Sequence, residues 1–266
     1  MKTFVNFNDA INWTSKTMYN TCHEVHTEKW QGKDIKDDEK YTMIEVLNHS
    51  FSCSIHEDIE ELKKQIRPNT EWADEHFKER VSGMPLNPPP SHVRWPYAQK
   101  NNSEFGGLEK FSHTYPERIW PKYGEEMSIN WVKGIPLEGM RYRYGDFNSV
   151  VDLMKREPFT RQAFLPIWFP EDTGAVEGQR VPCTLGYQFI RRFEWVHVVY
   201  YIRSCDFFRH FRDDIYLCAR KLMWLIEELR KKDYENWKDV RPGTLTMHIC
   251  SLHAWKQEKP LLIKIK

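Results

Sequence analysis

Between residues 184 and 229 the hydrophobic pattern changes period once, and that change limits the folds open to the chain. Residues 184–192 and 195–203 read as two strands. The second, WVHVVYYIR, is rich in β-branched and aromatic side chains that suit a pleated surface. Beyond it, Phe207, Phe208, Phe211, Ile215, Cys218, Leu222, Leu225, Ile226 and Leu229 repeat at helical spacing. One long core helix is therefore expected over 206–230. Two neighbouring strands that feed such a helix predict a mixed α/β or α+β architecture.

The remaining pattern adds shorter pieces. Strands are expected over 41–46, 49–55, 164–169 and 245–249. A helical stretch over 56–79 should break near Pro68, and a short amphipathic helix is expected over 148–155. Residues 83–98, GMPLNPPPSHVRWPYA, exclude regular structure because proline fixes the backbone and removes donors. With little Gly or Ser, this stretch reads as an ordered loop packed by Trp95 and Pro96.

Composition narrows the function classes. The formal net charge is +1, so the chain lacks the basic footprint of a nucleic-acid protein, and direct nucleic-acid binding is not expected. The N-terminal MKTFVNFNDAINW lacks the apolar core of a signal peptide. No run approaches 18 apolar residues, so no membrane partner is expected. Six cysteines without a dense framework suit free thiols in a reducing cytoplasm. Cys22, His23 and His26, and separately His248, Cys250 and His253, lack the paired spacing of a zinc site, so no metal is expected.

Cys183 follows Pro182 at the mouth of a predicted strand. Read alone, it fits either a buried apolar cysteine or a nucleophile activated by a nearby cation such as Arg161, Arg191, Arg192 or Arg203. Arg203, Ser204 and Asp206 stand where a strand meets a helix. There they suit either phosphate binding or a helix cap with a surface arginine.

The order of these residues resembles the thymidylate synthase superfamily, and its detail is closest to the bacteriophage deoxycytidylate hydroxymethylase branch. Pro182-Cys183-Thr184, Gln188-Phe189, Arg203-Ser204-x-Asp206 and Phe211-Arg212-x-Asp214 carry the resemblance. It is supported by Ile119-Trp120, Tyr144-Gly145, Thr160-Arg161 and the pair His253 and Trp255. It is strong over about residues 119–255, with gaps.

The resemblance implies a thymidylate synthase-type α+β fold: one domain over 1–266 with a large mixed sheet, paired sheet to sheet as a homodimer. It implies hydroxymethyl transfer to C5 of a pyrimidine nucleoside monophosphate, with 5,10-methylenetetrahydrofolate as co-substrate. Cys183 would attack C6, Asp214 would read the base, and Tyr144 would lie near the nucleophile. Arg161, from the partner, would join Arg203 and Ser204 at the phosphate. Gln188 would complete the nucleotide site, and His253 and Trp255 would hold the sugar. Trp120 and Asp206 would meet folate. A glutamate that organises water is expected among Glu71, Glu75 and Glu79, with Glu75 the best match.

Asp214 points to cytosine, because the thymidylate synthases place Asn there to read uracil. A carboxyl group accepts from N4–H and, when protonated, donates to N3. The implied setting is the cytoplasm of an infected bacterial cell. Three departures stand out: His210 replaces a glycine near folate, Gln162 an arginine, and Trp255 a tyrosine. Transfer to dUMP or CMP, thymidylate synthesis, and a non-catalytic nucleotide-binding or interaction protein stay open as alternatives.

Overall fold

The computed structural model describes residues 1–30, 33–36, 38–94, 110–123, 145–173 and 180–265. Its strands are β1 (Lys2–Phe4), β2 (His23–Val25), β3 (Lys29–Trp30), β4 (Lys33–Asp34), β5 (Met43–Ser54), β6 (Phe164–Pro166), β7 (Thr184–Arg192), β8 (Trp195–Asp206) and β9 (Arg241–Trp255). Its helices are α1 (Phe7–Thr21), α2 (Ile59–Ile66), α3 (Thr70–Arg80), α4 (Tyr115–Ile119), α5 (Phe147–Arg156), α6 (Phe211–Lys232), α7 (Tyr234–Trp237) and α8 (Lys259–Leu262).

Seven of the described strands form one mixed sheet in the order β1-β5-β9-β8-β7-β6, with β2 also paired to β5. β1–β5 and β8–β9 run parallel, and the other pairs run antiparallel. This is the mixed α+β architecture that the change of period predicts. α6 crosses β8 and β9, flanked by α2, α3 and α5. Its Phe211, Ile215, Leu222, Leu225 and Leu229 are fully buried. Each such side chain contributes about 1.5–3 kcal/mol by leaving water. No described helix is long and apolar enough to cross a membrane.

Local chemistry sets the boundaries. The strands expected over 41–46 and 49–55 are one strand, β5, which runs through Asn48 at φ 54°. Asparagine tolerates that left-handed backbone. The helical stretch before residue 80 breaks where Arg67 turns left-handed ahead of Pro68. The long helix starts at Phe211 because the Asp206 carboxylate accepts from the Phe208 and Arg209 N–H groups and holds a turn there. The strand expected over 164–169 stops at Pro166 on the sheet edge, since proline has no N–H to give a ladder. Residues 90–94 form a 3₁₀ turn inside the proline-rich loop, while Trp95 and Pro96 lie outside the described residues.

A bulge near Gly186 offsets β7 against β8 just after Cys183. A Cβ on Gly186 would stand 2.8 Å from the Leu165 carbonyl oxygen and clash with the Phe164 ring. Gly186→Ala should therefore cost roughly 1–3 kcal/mol as an overpacked site, read as a lower denaturant midpoint at unchanged m-value. A midpoint equal to that of the parent would show that β6 yields freely.

Candidate active site

A cavity of about 160 Å³ opens where the ends of β7 and β8 meet the start of α6 and one face of α3. Cys183 and Ser204 line it from the sheet, His210, Asp213 and Asp214 from the α6 start, and Tyr115 from α4. Trp72, His76 and Arg80 line it from α3. Their spacing of four places them one above another on a single helix face. The space suits one aromatic ring better than a whole nucleotide.

Arg203 fixes the approach to β7. Its Nε donates to the Pro182 carbonyl at 2.9 Å and its Nη2 to the Val181 carbonyl at 3.0 Å. Its backbone N–H donates to the Cys183 carbonyl at 2.8 Å. The same Nη2 stands 4.0 Å from Cys183 Sγ. Burial pushes the Cys183 thiol up, Arg203 and Arg180 pull it back, and Asp214 opposes them. The resting group is a thiol with a cation at hand.

Asp214 is joined to β7, which begins directly after Cys183. Thr184 Oγ1 lies 3.2 Å from the Tyr115 hydroxyl and 2.9 Å from the Tyr200 hydroxyl, which lies 3.3 Å from Asp214 Oδ1. Each hydroxyl has one hydrogen. The direction of this chain therefore depends on the proton of Asp214: ionised, the carboxylate accepts from Tyr200; protonated, it donates. Burial raises Asp214 to about 6, and the neighbouring Asp213, whose Oδ1 accepts from the Asn69 N–H, also to about 6. Burial lowers His76 and His210 to about 4, so both imidazoles are neutral at pH 7.

Of the residues named from the sequence, Cys183, Ser204 and Asp214 share the cavity, and Arg203 touches Cys183. Glu75 does not line it. Glu75 is ion-paired with Arg94 at 3.1 Å and faces an outer groove that it shares with Glu71. Glu79 is buried instead. It accepts from the Ser91 hydroxyl at 2.6 Å and contacts His76 Nδ1 at 3.0 Å. Burial works against its charge, but the hydrogen bonds from His76 and Ser91 outweigh that and hold it below the usual carboxylate range. The cavity thus meets an imidazole backed by a glutamate.

Trp120 is buried behind the cavity, and its indole N–H donates to the Arg80 carbonyl at 3.0 Å. The Gln188 amide donates to the Arg161 and Ala163 carbonyls, and Arg161 is exposed. His253 pairs across from Asp206, whose carboxylate is taken up by its own turn and by Arg209 at 3.0 Å. Trp255 packs against Tyr41 at 5.4 Å. Tyr144 lies outside the described residues. No group of three or more metal-ligating side chains occurs among the described residues.

The sequence reading missed His76, Arg80, Tyr115 and Tyr200. A faint signal for two of them was present: Trp72, His76 and Arg80 recur at a spacing of four, which places an imidazole and a guanidinium on one face of α3.

No protein-family model matches the chain. It is similar to a protein from Methanosarcina mazei described as "Putative thymidylate synthase", with 25% identity over 146 residues. That match covers 50% of this chain and 62% of the relative, less than two thirds of the relative's length.

Proposed function

We propose that the chain is a thymidylate synthase-like C5 transferase that hydroxymethylates a pyrimidine nucleoside monophosphate, with dCMP as the acceptor. One observation carries this reading: a cysteine with an arginine 4.0 Å from its sulfur shares a base-sized cavity with a buried aspartate. The resemblance assigns those residues to attack at C6 and to base recognition. The similarity to the Methanosarcina protein supports the same class.

The nucleotide would enter with its ring over Cys183. Arg203 stabilises the thiolate, and Sγ adds to C6 while the C5–C6 π pair moves toward C5 and, through C4, onto N3 of the cytosine ring. C5 is then the nucleophile. Methylenetetrahydrofolate, when bound, supplies a one-carbon unit at the oxidation level of formaldehyde.

The hydrogen on C5 must then leave as a proton. His76 is placed to take it, because its Nδ1 is held by Glu79 and its other nitrogen has a lone pair when the ring is neutral. His76 would pass that proton to the folate nitrogen as its bond to the transferred carbon breaks, leaving an exocyclic methylene at C5. Water held by the again-neutral imidazole would add to that methylene to give the hydroxymethyl product. Expulsion of the Cys183 thiolate restores the C5–C6 double bond. Ser204, Arg203 and, across a homodimer, Arg161 would hold the phosphate.

The test is competition among dCMP, dUMP and CMP with methylenetetrahydrofolate, read by product mass. A hydroxymethyl product chiefly on dCMP is expected. A methyl product on dUMP would replace this reading with thymidylate synthesis, and no product would favour a binding protein.

A further inference from the structure

The cavity wall holds a buried cation, two of whose nitrogens meet no hydrogen-bond acceptor among the described residues. Arg80 is 2% exposed and lines the cavity, yet no described protein group accepts from its Nε or Nη1. Its guanidinium lies over the Tyr115 ring, 4.0 Å from the centroid. No carboxylate among the described residues is within ion-pair distance of it. The Arg80 charge acts on Asp213 and Asp214, but the two buried nitrogens have lost their hydration without gaining a hydrogen bond, which is costly. Arginine also keeps its proton and offers donors only. Such a group fits a ligand that brings an acceptor into the cavity.

Two walls of the cavity present opposite hydrogen-bonding chemistry. Asp214 stands on the side of Cys183, tied through Tyr200 to Thr184, the residue after the cysteine. Arg80 stands on the α3 side. A pyrimidine bonded to Cys183 through C6 has its C4 substituent next along the ring beyond C5, while N3 lies directly opposite C6. The thiol adds to a face of the ring, so Asp214 and Arg80 meet its edge, where N3 and the C4 substituent are adjacent. The Arg80 charge is felt by Asp214, as suits two groups that read adjacent positions.

We propose that Arg80 is a second base-reading residue, donating to N3 of a cytosine ring whose 4-amino group donates to Asp214. Uracil presents the reverse at both points: O4 would face the carboxylate and N3–H the guanidinium. This inference rests on the pyrimidine reading above and assigns it a residue that the resemblance does not supply. A full-time donor at N3 also removes the need for Asp214 to carry a proton while it reads the base.

The test is calorimetric binding of dCMP and dUMP to the intact protein, to Arg80→Met and to Arg80→Gln, with thermal unfolding alongside. Arg80→Met should bind dCMP at least tenfold more weakly, with dUMP changed less than about threefold. Thermal unfolding checks that the variant is folded, because Arg80 also faces the charges of Asp213 and Asp214. Arg80→Gln can donate or accept at N3 and should narrow the preference for dCMP to the part that Asp214 supplies. Equal losses for both nucleotides in Arg80→Met would assign Arg80 to a group they share and overturn the proposal. Unchanged binding of both would overturn it too. A parent protein that binds neither nucleotide would defeat the pyrimidine reading itself, and this inference with it.

Discussion

Cys183→Ser should abolish product formation, lowering turnover by at least about 10³-fold, as loss of a covalent nucleophile does. Nucleotide binding should persist within a few-fold, because the cavity walls come from α3, α4, β8 and the α6 start as well as from Cys183. The change is nearly isosteric, and the Arg203 clamp acts on backbone carbonyls rather than on the thiol. The fold should therefore survive. Steady-state turnover beside calorimetric binding checks this, and a variant that binds and still turns over would remove Cys183 from the chemistry.

Asp214→Asn should do two things at once. The first is thermodynamic. Burial raises Asp214 to about 6 in the folded protein, from an ordinary value of 3.8. The folded state therefore holds this proton more tightly than the unfolded state does. The stabilisation from that proton is fully present below about pH 4 and is lost as pH rises through about 6. At pH 7.5 the parent carries a buried charge that the amide lacks. Asp214→Asn should then be more stable by up to about 3 kcal/mol, and the gap should close near pH 4. Thermal unfolding at the two pH values measures it. A gap of equal size at both would mean that the proton is not its source.

The second effect is on the base. An amide can donate to O4 as well as accept, so the variant should lose the part of its preference against uracil that Asp214 supplies, leaving only the part due to Arg80. Turnover on dCMP should fall by about 10²-fold or more, since the site would present the wrong partner to a buried group. Retained preference for dCMP would assign base recognition elsewhere.

Local order was the legible part of this chain. The hairpin over residues 184–203 and the break at Arg67-Pro68 follow from side-chain type and backbone sterics, and β7, β8 and the two helices flanking the break match them. The site was legible only in part. Cys183 and Asp214 are 31 positions apart, and their shared cavity depends on the order β9-β8-β7, which brings in residues near 250 that no local rule locates.

Rotation about a helix axis was the second barrier. Glu75 and His76 differ by one residue, or about 100°, which separates an outer groove from the cavity. The run Thr70–Arg80 is too polar all round for its inward face to stand out. Trp120 illustrates a third limit. A tryptophan after an isoleucine reads equally well as cavity wall or core, and here it supports Arg80 from behind.

The central claim is that Cys183 forms a bond to C6 of a pyrimidine nucleotide. It is tested most directly by the intact mass of the protein after incubation with 5-fluoro-dCMP and methylenetetrahydrofolate. Fluorine at C5 cannot leave as a proton does, so an adduct that forms should stay. The expected result is a mass increase of the nucleotide together with its one-carbon partner. Peptide mapping should locate it on Cys183, and Cys183→Ser should lack it. An unchanged mass under conditions where the nucleotide is shown to saturate the cavity would contradict the account.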